Sequence, residues 1–82
     1  MSYEKVLQAE NLIIGTKQTL KALDNGDVVE LIVAKDAEYR VINKVEALAV
    51  SKRIPIHYVD SMKKLGKACG IEVSAATVAL RK

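Results

Sequence analysis

Leu12-Ile13-Ile14-Gly15-Thr16-Lys17-Gln18-Thr19-Leu20-Lys21 joins an apolar run, a glycine and the opening of an amphipathic pattern. It reads as a strand, a tight turn and the N-terminus of a helix. Glycine suits the turn because, lacking a Cβ, it reaches backbone angles that other residues avoid. Thr16 stands where a helix cap is expected, its hydroxyl accepting from an orphan N–H one turn in. On a helix of 3.6 residues per turn, Lys17 and Lys21 fall about 40° apart with Gln18 beside them. Thr19, Leu20 and Leu23 take the opposite, packing side. The outward side therefore presents two ammonium groups and an amide at the positive end of the helix dipole, where an anion is favoured. Two readings fit: an edge that contacts RNA, and an ordinary solvated helix face.

The chain has 82 residues, enough for one core, so a single domain over residues 1–82 is expected. Half of the residues are hydrophobic and 28% are charged, which argues for a globular chain and against disorder. No tract of 18 apolar residues suggests a membrane span. The opening Met1-Ser2-Tyr3-Glu4-Lys5 has no signal-peptide character. Cys69 is the one cysteine and cannot form an internal disulfide. These features predict a cytoplasmic protein. With no Trp, no Phe and three Tyr, the core must be aliphatic.

The net charge of +3 is unevenly spread. Residues 1–60 hold eight Lys/Arg against nine Asp/Glu, whereas residues 61–82 hold five against Glu72 alone. A basic C-terminal quarter favours a polyanionic partner over a neutral small molecule. The charge density is below that of a purely electrostatic nucleic-acid binder, so shape and specific contacts would have to supplement it.

Taken in order, the pattern predicts four helix–strand units with short connections. Ser2 can cap a helix through Glu10, followed by the strand Leu12 to Ile14 and the helix Thr16 to Asp24, which Asn25-Gly26-Asp27 ends. Val28 to Ala34 reads as an interior strand. Asp36 can cap a helix from Ala37 to about Lys52 with the apolar stripe Val41, Ile42, Val45, Leu48 and Ala49. Ile54 to Val59 is the next strand, with Pro55 near its start or on an edge because proline has no ladder donor. Ser61 can cap a helix to Cys69, with Met62, Leu65, Gly66 and Cys69 on one side and Lys63, Lys64 and Lys67 on the other. Gly70 ends it, and Ala75 to Leu80 is the last strand. Strands that are unbroken apolar runs need cover on both faces. The expected fold is α/β, a three-layer α/β/α sandwich with a four-stranded mixed sheet.

Enzyme constellations are missing, and no cofactor or metal is expected. His57 lies in a strand with no Cys or acid pair at metal spacing and reads as a packed or surface histidine. Cys69 lies on an apolar helix face and reads as a small hydrophobe. Gly66-Lys67 is followed by Ala68 where a P-loop needs Ser or Thr, and Ser61 stands where its first glycine belongs. Asp36, Glu38 and Asp60 are read as caps and surface charges rather than a general acid/base pair. The aromatic sheet motif of an RRM and the Gly-x-x-Gly loop of a KH domain are both absent, so an RNA contact would have to use helix ends and loops.

A second informative stretch is Leu65-Gly66-Lys67-Ala68-Cys69-Gly70-Ile71-Glu72-Val73-Ser74-Ala75-Ala76. Ile71 and Val73 follow the end of a basic helix. Either they begin the last strand and bury in the core, or they form an exposed apolar loop that a partner covers.

Both stretches, with Leu31-Ile32-Val33-Ala34-Lys35-Asp36-Ala37-Glu38 and Ile54-Pro55-Ile56, stand in the order and spacing of the ribosomal L-seven-Ae family. Over nearly its whole length the chain resembles that family, and in particular its short bacterial members. The resemblance implies a non-enzymatic protein that clamps kink-turn RNA, a sharply bent duplex with tandem sheared G·A pairs and an extruded base. Carried across by position, it implies groove contacts at Gly15, Thr16, Lys17, Gln18 and Lys21, and loop contacts at Ile71, Glu72 and Val73. Glu38 matches a further acidic contact position. The expected partner is ribosomal or riboswitch RNA in a ribonucleoprotein, and the chain is expected to be a monomer. Lysine suits the role because guanine O6 and N7 are acceptors in the major groove. A regular A-form duplex hides that groove, so the kink is what grants access. The family commonly has Asn-Glu at Lys17-Gln18 and Pro at Tyr39. A cation for an amide, and an amide for a carboxylate, predict stronger attraction to the backbone and looser discrimination between bases. A rival reading from another class uses the same helix and loop as a protein-interaction surface. Phosphate contacts would weaken steeply with salt, whereas an apolar protein interface would not.

Overall fold

A computed structural model describes Val6, Leu7 and residues 11–81 of the chain. Among them are strands β1 (Leu12–Ile14), β2 (Val28–Ala34), β3 (Ile56–Val59) and β4 (Thr77–Arg81). They alternate with helices α1 (Thr16–Asp24), α2 (Tyr39–Ser51) and α3 (Met62–Ala68). The strands form one sheet in the order β1-β4-β2-β3. β4 runs antiparallel to both β1 and β2, while β2 and β3 are parallel, so the sheet is mixed as expected.

Leu31–Ala34 of β2 and Thr77–Ala79 of β4 are buried on both faces, which accounts for the apolar run Leu31-Ile32-Val33-Ala34. Side chains alternate across a strand. Leu31, Val33 and Ala79 accordingly pack with Ala22 and Leu23 of α1 and Ile42, Val45 and Ala49 of α2. Ile32, Ala34 and Val78 point the other way, into a second core with Val6, Val59, Leu65 and Ala75. These two aliphatic cores, one on each face of the sheet, make the three layers. The helix expected over Ser2 to Glu10 lies mostly outside the described residues; Val6 and Leu7 are helical, and Val6 is buried.

Several boundaries differ from the sequence reading. Gly15 rather than Thr16 holds the N-cap position of α1, and no side chain caps that helix. α2 starts at Tyr39 instead of Ala37, with Glu38 before it and again no side-chain cap. Asp36 is used elsewhere: its Oδ1 accepts from the Met62 N–H at 2.8 Å and so serves the start of α3. Ser61 does cap α3, accepting from the Lys64 N–H at 3.2 Å. β3 begins at Ile56, after Pro55, and lies at the sheet edge, where a missing donor is harmless. Val41 of the expected α2 stripe is on the rim and exposed, whereas Ile42, Val45 and Ala49 are buried.

α1, α2 and α3 end in the same way. The N–H groups of Gly26 and Asp27, of Arg53 and Ile54, and of Gly70 and Ile71 turn back to the last turn of α1, α2 and α3 respectively. In each pair the first residue has positive φ, 75° at Gly26, 59° at Arg53 and 81° at Gly70. This is the Schellman arrangement, which satisfies orphan carbonyls and favours glycine at the left-handed position. Arg53 is the exception and carries the strain of its Cβ.

Candidate nucleic-acid interface

The sheet topology gathers the candidate segments at one end. β1, β2 and β3 finish there and β4 starts there, so the turn at Gly15, residues 35–38, residues 60–61 and the loop from Gly70 to Ala76 are neighbours in space. Hydrogen bonds tie them together. The Gly15 N–H donates to the Thr77 carbonyl at 3.1 Å, and Lys35 N–H to the Val59 carbonyl at 2.7 Å. Ala34 N–H donates to the Ala76 carbonyl at 2.9 Å. Glu38 is exposed at this same end, just before α2.

Gly15 has φ 102° and ψ 149°, a region essentially reserved for glycine. That conformation joins the end of β1 to the start of α1 through a single residue at the sheet end. Thr19 is fully buried on the inner face of α1, while Lys17, Gln18 and Lys21 are exposed and Thr16 is half-buried. There is no acidic residue in the first turn of α1. Stability alone would favour one there, whereas Lys17 adds a cation to an end already positive. A cation at a helix N-terminus favours an anion nearby; the first turns of α2 and α3 carry no acidic residue either. Gln18 and Lys21 also line an open depression of about 250 Å³ together with Arg81 and Asp27.

The loop is docked on α3. Ile71 N–H donates to the Gly66 carbonyl at 3.1 Å and Ala75 N–H to the Met62 carbonyl at 3.0 Å. Between these bonds the Val73 carbonyl lies so near Gly66 that a Cβ there would come within 2.0 Å of its oxygen. Gly66 thus acts as the seat of the loop, a role that its place on an apolar helix stripe did not reveal. The buried-strand reading fails, and the segment is instead a loop, exposed at Val73 and partly so at Ile71. The strand begins only at Thr77; Ile71 is half-buried against the second core, and Val73 is 69% exposed. Glu72 is exposed between them.

The remaining reactive side chains have structural settings. His57 Nε2 lies 2.8 Å from Glu30 Oε2 across the β2–β3 pair. Tyr58 donates to Glu46 of α2, and this bond to a carboxylate pushes its phenol pKa up. Cys69 is half-buried at the end of α3, where burial pushes its thiol up and favours the unreactive neutral form. Among the described residues no group of three or more His, Cys, Asp or Glu is placed to hold a metal. No described helix is long and apolar enough to cross a membrane.

The sequence profile of the Ribosomal protein L7Ae/L30e/S12e/Gadd45 family matches residues 2–82. The chain belongs to this family. Its similarity to the short bacterial members is extensive. It is 73% identical to RNA-binding protein BH0128 of Halalkalibacterium halodurans over 82 residues, the full length of both. It is 59% identical to RNA-binding protein YbxF of Geobacillus stearothermophilus over 80 residues, 98% of each. The names of these relatives describe RNA binding and no catalysed reaction. Among solved structures, the Giardia lamblia 15.5kD RNA binding protein superposes with a TM-score of 0.86 over 98% of this chain and 68% of its own. At 21% identity that likeness speaks for the fold alone. The chain thus shares its overall fold with that protein.

Proposed function

We propose that the protein is a non-enzymatic RNA-binding protein that recognises kink-turn RNA. The observation that carries this reading is the Gly15 turn. It sets a cationic helix start, free of acidic residues, beside the exposed loop that carries Glu72 and Val73. Family membership and the names of its bacterial relatives support RNA as the partner. In this reading Gly15 and Thr16 bring the backbone close to the RNA, and Lys17, Gln18 and Lys21 enter the widened major groove. There Lys and Gln donate to guanine O6 and N7 or to phosphates. Ile71 and Val73 cover the extruded base, Glu72 accepts from a base or sugar, and Glu38 adds an acceptor at the rim. The partner is ribosomal or riboswitch RNA in the cytoplasm, bound by one copy of this single domain.

The helix can be tested apart from the fold. Exposed substitutions such as Lys21→Ala and Gln18→Ala should leave stability within ~0.5 kcal/mol. Each should weaken binding to a kink-turn RNA by about 1–3 kcal/mol where the side chain makes a good base-edge contact. Affinities equal to wild type for both variants would remove α1 as the reading edge.

A further inference from the structure

A groove of about 290 Å³ lies between α3 and its docked loop, lined by Lys63, Lys67, Ile71, Glu72, Val73 and Ser74. Its three kinds of lining are distinct. Ile71 and Val73 are apolar, Glu72 is an acceptor, and Lys63 and Lys67 are cations. The two lysines stand four residues apart on α3, hence on one side of the helix. Lys64, on the adjoining side, is engaged by Asp60 at 3.3 Å. Lys63 and Lys67 are exposed and form no ion pair among the described residues. Helix stability does not call for two such cations one turn apart, since like charges at this spacing repel.

We infer that Lys63 and Lys67 bind the phosphate of the nucleotide whose base rests on Ile71 and Val73. An apolar patch, two ammonium groups without an ion pair among the described residues, and one carboxylate acceptor match the parts of a nucleotide: a flat base, a phosphate, and N–H or O–H donors. A single small apolar ligand would leave the lysines without a use, and a bare phosphate would leave Val73 uncovered. The groove is held open from behind, because Gly66 lets the Val73 backbone lie against α3. It is also close to the α1 edge along the chain, since Ser74 is three residues from Thr77, whose carbonyl holds the Gly15 N–H. One RNA is therefore gripped at two cationic places, the start of α1 and the outer face of α3. The inference rests on the kink-turn reading and adds to it two residues that the family resemblance does not assign.

The experiment compares wild type, Lys63→Gln/Lys67→Gln and Lys21→Ala. Each is titrated, over a range of salt, with a kink-turn RNA, with the same RNA lacking the extruded nucleotide, and with a straight duplex. Glutamine keeps the stem and removes the charge, and a thermal melt checks that the fold is kept. With the kink-turn RNA the double variant should bind more weakly, and its slope of log affinity against log salt should fall by about one for each phosphate no longer neutralised. With the RNA lacking the extruded nucleotide, most of the difference from wild type should vanish, whereas Lys21→Ala should stay weaker than wild type on both bent RNAs. If wild type prefers the kink-turn RNA but the double variant binds it equally well, the inference is overturned and the kink-turn reading stands. An equal loss on both bent RNAs also overturns it, because the lysines then act only as distant charge. If wild type itself does not prefer kink-turn RNA to the straight duplex, both readings fall, and the groove is left to an occupant such as an acidic peptide.

Discussion

Arg53 and Gly66 show how much depends on single backbone positions. Arg53 holds the left-handed position that glycine fills at the ends of α1 and α3. Arg53→Gly should therefore stabilise the protein by about 0.5–1 kcal/mol, the relief of Cβ strain less the extra chain freedom of glycine when unfolded. A denaturant titration at constant slope measures it. Gly66 is the opposite case, since its backbone is ordinary and space is the constraint. Gly66→Ala must push the loop backbone away from α3, at about 1–3 kcal/mol for an overpacked site. Gly70→Ala, by contrast, meets no atom within 4 Å and is opposed by its φ of 81° alone. The pattern of residues signals Gly15 and Gly70 as turn glycines, because each ends or begins an apolar period. Nothing local distinguishes Gly66 from any small residue on a helix stripe, because its constraint comes from a chain segment seven residues on.

Among the elements, strands were legible wherever they are interior. Leu31–Ala34 is buried on both faces and reads as such, whereas helix starts depended on partners far away in sequence. Asp36 looks like the cap of the helix that follows it, yet its carboxylate serves the first N–H of α3, 26 residues later. The exposed side of α1 was equally visible, since exposure there follows helical spacing around Thr19 and Leu23. The loop after α3 was not, because Ile71 and Val73 are alike in sequence and differ in setting. Ile71 is the second residue of the motif that ends α3, its N–H bound to Gly66, and this draws its side chain toward the core. Val73 lies beyond that motif. Truncating them should therefore separate two effects. Ile71→Ala should lower stability by about 1–2 kcal/mol, toward the lower end for a core truncation because the site is half-exposed. Val73→Ala should change the melting temperature little and weaken RNA binding more than it affects folding. If both variants melt like wild type and bind RNA like wild type, the loop contributes to neither.

The assembled molecule brings the loop after α3 and the start of α1 to one sheet end, through an antiparallel β4 that sets the loop next to β1, while Arg81 at the end of β4 lies at the opposite end. Charge alone would make such a surface adhere to any RNA, with affinity falling steeply as salt rises. Recognition of a kink-turn instead requires shape, because a straight A-form duplex withholds the groove that α1 would read. The direct test is a titration at fixed salt with a kink-turn RNA and with a matched duplex in which the tandem G·A pairs are replaced by Watson–Crick pairs. Tight binding to the first, and only the weak, salt-sensitive level of any duplex for the second, is the expected result. Equal affinity for the two would contradict it and reduce the interface to a basic patch.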